Sequence, residues 1–80
     1  MAKPQTATVL RYPVLLTPDL EAGGYTVEVP DLPGCLTEGD SLEEALEMAK
    51  DAIQGYIASL KKHGDRVPEP SQVHMIEVPA

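Results

Sequence analysis

The sequence of 80 residues contains no tryptophan and no phenylalanine, and its aromatic content is three tyrosines, Tyr12, Tyr25 and Tyr56. The core it can build is therefore aliphatic. A single cysteine, Cys35, excludes an intramolecular disulfide, and no basic start followed by an apolar run marks a signal peptide. A cytoplasmic location is expected. No uninterrupted apolar stretch approaches the ~20 residues that cross a bilayer, so a spanning helix is excluded. Basic residues are also scarce, six against thirteen acids, for a formal charge of −7. Affinity for nucleic acid comes largely from Lys and Arg neutralising phosphates, so direct nucleic-acid binding is not expected.

What is present is unevenly spread. Between Asp19 and Asp51 lie ten acids and one base, Lys50, whereas the rest of the chain has five bases and three acids. That one-sided excess favours a basic protein partner. The candidate contact residues are Glu28, Asp31, Glu38, Asp40, Glu43 and Glu47. The bland alternative for the same acids is a solvated face.

The length allows one hydrophobic core, hence one domain over residues 1–80. Thr8–Thr17 is rich in β-branched and apolar residues and reads as a first strand stopped by Pro18-Asp19. Pro13 has no N–H to give, which demands an edge, a bulge or a gap there. In Gly24–Val29, Tyr25, Val27 and Val29 alternate with Thr26 and Glu28, the pattern of a half-buried strand. A rigid Pro30–Gly34 turn leads to a third strand, Cys35–Glu38. Ser41-Leu42-Glu43-Glu44 is a capping box, in which Glu44 is expected to reach back to the Ser41 amide. From it, Leu42, Ala45, Leu46, Ala49, Ala52, Ile53, Tyr56, Ile57 and Leu60 trace one helical face, predicting a helix from Leu42 to His63 with Gly64 beyond its end. Gly55, inside that helix, reads either as a close approach of another element or as a neutral accident. Val73–Val78 has the composition of a fourth strand.

The expected fold is therefore α+β, β-β-β-α-β: an antiparallel meander with one helix on one face and a last strand beside the first, in sheet order 3-2-1-4. One sheet face would stay uncovered, so a homo-oligomer, dimer or tetramer, is expected.

Catalytic and metal chemistry find little footing. Cys35 follows a Pro-Gly turn with no histidine near it in sequence and reads as a small core residue. His63 and His74 have no second ligand at metal spacing, and no phosphate-cradling or nucleophile-elbow glycine motif occurs. No catalytic residue, metal or cofactor is expected. A divalent-metal nuclease would need a carboxylate in the first strand, whose one charged residue is Arg11.

Tyr12-Pro13-Val14, Gly23-Gly24-Tyr25, Pro30-Asp31-Leu32-Pro33-Gly34-Cys35 and Gly39-Asp40-Ser41-Leu42-Glu43-Glu44-Ala45 closely resemble the N-terminal domain of HicB antitoxins, over about Arg11 to Pro70. The resemblance implies a partial RNase H-like fold and a catalytically inert protein. It also implies a partner: a small basic mRNA-cleaving toxin of the HicA type, neutralised by covering its active site. Many members continue into a ribbon-helix-helix or helix-turn-helix domain, whereas this sequence stops at Ala80; no C-terminal DNA-binding domain is expected. The alternative is a solitary homo-oligomeric module, which could bind a small ligand and lacks a toxin partner.

Overall fold

A computed structural model describes residues 9–80. Three short strands, β1 (Leu15–Pro18), β2 (Tyr25–Glu28) and β3 (Leu36–Gly39), form an antiparallel meander in the order β1-β2-β3, followed by one helix, α1 (Leu42–Lys62). This is an α+β fold, as the sequence pattern predicts. Both turns are fixed locally. In the first, the Asp19 carboxylate accepts from the amides of Glu21 and Ala22, at 3.0 Å each, and these amides hold its pKa below the ordinary value. The second carries Gly34 at φ 81°, a left-handed conformation that suits glycine, and closes with Cys35 N–H donating to Leu32 O at 2.9 Å.

The helix starts on Ser41, whose hydroxyl accepts from the Glu44 amide at 3.1 Å. The reciprocal bond falls one residue earlier than the capping box predicts: Glu44 Oε1 accepts from the Asp40 amide at 2.7 Å. At the other end His63 caps the helix instead of extending it, Gly64 N–H donates to Lys61 O and Asp65 N–H to Leu60 O. That pair of bonds is a Schellman closure, with Gly64 at φ 73°.

Small residues let the helix lie close to the sheet. Ala45 and Ala49, both buried, pack on Val27 with Val14, Leu16 and Tyr25 around them. A second cluster, Val29, Leu32 and Cys35, sits under Tyr12, Ala52, Ile53 and Tyr56, and Val14 touches both. Burial pushes the Cys35 thiol up, so it behaves as the core residue the sequence implied.

Two strand expectations need correction. The first strand is shorter than Thr8–Thr17: pairing begins at Leu15 and includes Pro18, opposite Tyr25. Thr8 lies outside the described residues, and Val9–Val14 enter no ladder. Pro18 is tolerated because β1 is an edge strand. The fourth strand does not form in the single chain. Residues 71–80 are all exposed and have no regular structure, so the order 3-2-1-4 is reduced to three strands. The reason is the path of the connector. Tyr12 OH donates to Pro68 O, and Asp31 then accepts from Ser71, which carries the chain across to the β2–β3 turn. Strand composition is local, but a strand needs an edge to pair with.

Candidate partner-binding surface

The register decides which residues face away from the helix. Leu15, Glu28 and Leu36 align across the three strands, as do Thr17, Thr26 and Glu38. Their neighbours Leu16 and Val27 pack toward Ala45 and Ala49, so alternation turns these six to the face that the helix leaves open. Leu15 and Leu36 are 56% and 67% exposed and flank Glu28. The six line a shallow depression of about 580 Å³. Glu28 and Glu38 are thus diagonal neighbours on an apolar-edged sheet surface.

The remaining candidates lie elsewhere. Asp40, Glu43 and Glu47 are exposed at the start of α1, Glu43 and Glu47 one turn apart on the same flank. Asp31 is committed within the chain: Oδ1 accepts from the Ser71 hydroxyl at 2.6 Å and Oδ2 from the Ser71 amide at 2.8 Å. The six acids therefore form a sheet-face pair, a trio around the helix start and one clamp holding the tail.

The Asp31 clamp carries a pH signature. The Ser71 hydroxyl, then its amide, hold the Asp31 carboxyl below the usual carboxylate range. Its contribution is present above the ordinary carboxylate pKa and disappears as pH falls through the lowered one. Hydrogen exchange of the Ser71 amide is expected to stay slowed at neutral and mildly acidic pH and to lose that protection in strong acid. Asp31→Asn, which lacks the charge, should show weaker protection at neutral pH. Burial, and secondarily the Asp31 carboxylate, push the neighbouring Tyr12 phenol up, so it stays a donor to Pro68 O across the same range.

Sequence reasoning missed two features. Leu15-Leu16 places consecutive apolar residues on opposite faces of β1, a signal that the open face also carries an apolar side chain. The other is a groove of about 680 Å³ between residues 9–12 and α1, with Val9, Leu10, Tyr12, Ile53 and Ile57 along it and Lys50 and Lys61 at its sides. Among the described residues, no group of three or more His, Cys, Asp or Glu is placed to hold a metal ion. No described helix is long and apolar enough to cross a membrane.

Three antiparallel strands with one helix across one face, and an acidic, leucine-edged sheet on the other, define a small α+β module with an uncovered sheet. The chain belongs to the HicB-like antitoxin family of bacterial toxin-antitoxin systems, whose profile matches residues 12–79. It is 51% identical over 59 residues to a UPF0150 protein of Thermoplasma acidophilum, covering 74% of this chain and 84% of that one. It is 47% identical over 64 residues to antitoxin HicB 1 of Photorhabdus laumondii, covering 80% of this chain and 41% of the relative. Antitoxin HicB of Escherichia coli K12 is 43% identical over 74 residues, 88% of this chain and 53% of the relative. The chain thus spans about half the length of these HicB antitoxins and most of the UPF0150 protein.

Proposed function

We propose that this protein is an antitoxin module that binds a small basic mRNA-cleaving toxin of the HicA type and neutralises it by covering its active site. The observation that carries this reading is the open sheet face, where Glu28 stands in water between exposed Leu15 and Leu36, with Glu38 diagonal to it on β3. Apolar side chains there supply contact area, and the carboxylates match a cationic surface that must otherwise attract RNA phosphates. Asp40, Glu43 and Glu47 extend the same charge along the helix start and would raise the rate of encounter. The module itself is catalytically inert in this reading, acts in the cytoplasm and makes no direct contact with nucleic acid.

Charge reversal separates the two acidic patches. Glu28→Lys with Glu38→Lys is expected to weaken toxin binding by about tenfold or more, mostly through faster dissociation. Glu43→Lys with Glu47→Lys should mainly slow association, an effect that fades as salt rises. Surface plasmon resonance against a HicA-type toxin at several salt concentrations reads both. Unchanged kinetics in both double variants would overturn this docking assignment, and RNA cleavage by the purified chain would overturn the inert role.

A further inference from the structure

The segment Val73–Val78 is a strand in composition with nothing to pair with. Val73, Met75, Ile76 and Val78 are 62%, 90%, 82% and 75% exposed, four apolar side chains left in water within six residues. The connector before it is anchored, at Tyr12 through Pro68 and at Asp31 through Ser71, and these anchors lead it toward the β2–β3 turn. No residue of Val73–Val78 lines the chain's own groove between residues 9–12 and α1.

That groove has the dimensions and chemistry of a strand site. It lies between the segment that precedes β1, residues 9–12, and the face of α1 from Lys50 to Lys61. From Lys50 to Lys61 the helix advances about 17 Å at ~1.5 Å per residue. From Val73 to Val78 an extended chain covers about 17 Å at ~3.3 Å per residue. The charged side chains along the groove are Lys50 and Lys61, both basic in an otherwise acidic chain, and the segment's carboxylate is Glu77.

We propose that Val73–Val78 of one copy of this chain seats in the groove between residues 9–12 and α1 of a second copy, and that the exchange is reciprocal. A two-fold pair results, in which each copy's groove accepts the other's segment. Each groove then covers Val9, Leu10, Ile53 and Ile57 with the partner's apolar side chains, and Glu77, next to the end of the segment, meets the lysine at that end of the groove. The exchange involves copies of this chain alone, so it stands or falls separately from toxin binding.

Sedimentation equilibrium of the purified full chain without toxin, from micromolar upward, tests it. A dimer mass is expected, and Met75→Glu with Ile76→Glu is expected to weaken the dimer about tenfold or more. Both residues lie in the exposed segment, so far-UV circular dichroism should be unchanged. Location is tested by Ala58→Cys with Met75→Cys under mild oxidation, which should give a disulfide-linked dimer on a non-reducing gel. A monomer mass at every concentration, a dimer indifferent to Met75→Glu and Ile76→Glu, or a cross-link that forms within one chain each overturns the proposal.

Discussion

Gly39→Ala is expected to lower the thermal midpoint by about 10–20 °C, while Gly55→Ala raises it. A methyl group on Gly39 would sit 2.6 Å from Ala45 Cα and 2.8 Å from the Glu44 carbonyl carbon. These are backbone atoms of the first helical turn, and no side-chain rotation relieves the collision. Either β3 or the start of α1 must move, at the seam where Ala45 meets Val27. Overpacking of this kind costs about 1–3 kcal/mol, with backbone clashes at the upper end. In a domain of this size ~1 kcal/mol corresponds to roughly 4–8 °C. Around Gly55 no atom outside its own stretch of helix lies within 4 Å of an added methyl, so alanine there should add about 1 kcal/mol through helix propensity alone. Differential scanning calorimetry of the two variants gives opposite signs if the helix lies against β3 as described. A stabilised Gly39→Ala protein would contradict that packing.

Leu32→Ala should have an effect of similar or larger size. Leu32 is fully buried beside Val29 and Cys35, in the cluster roofed by Tyr12, Ile53 and Tyr56. The turn around it is rigid, held by Leu32 N–H donating to Val29 O at 3.0 Å and by Tyr56 OH donating to Pro33 O at 2.8 Å. Such a frame collapses poorly into a void, and a buried Leu→Ala change costs about 2–5 kcal/mol. A domain of this length has about 4–12 kcal/mol in total, so the variant is left close to unfolding at 37 °C. Urea denaturation followed by circular dichroism should show a much lower midpoint with an unaltered slope. The wild-type midpoint in that variant would mean that Leu32 is not the centre of the core.

The helix and both turns were legible because their causes lie within a few residues. Ser41, the acids after it, the apolar period and Gly64 each state their role in the local chain. Glu44 shows the limit of that locality: its partner is the Asp40 amide, one residue from the one the motif names, at the point where the chain leaves β3 for the helix. Gly55 and Gly39 show it more strongly. Helix-interior position made Gly55 conspicuous, yet the glycine crowded by the helix is Gly39, and that crowding exists only after α1 has folded back on the sheet. Asp31 stands out in the sequence for its charge alone, but its partner Ser71 is 40 residues away. The outward face of Glu28 followed from alternation in Gly24–Val29, whereas its nearness to Glu38, Leu15 and Leu36 depended on register between strands. The failed fourth strand belongs to the same class, since pairing is a property of two segments.

Cys35 has a practical consequence. The chain's one sulfhydryl is 5% exposed and its ionisation is suppressed by its apolar surroundings. Peroxide and alkylating reagents act on ionised, accessible sulfur, so they should leave the native protein untouched until it opens. Iodoacetamide labelling at this position therefore doubles as a built-in clock for how often the folded molecule breathes.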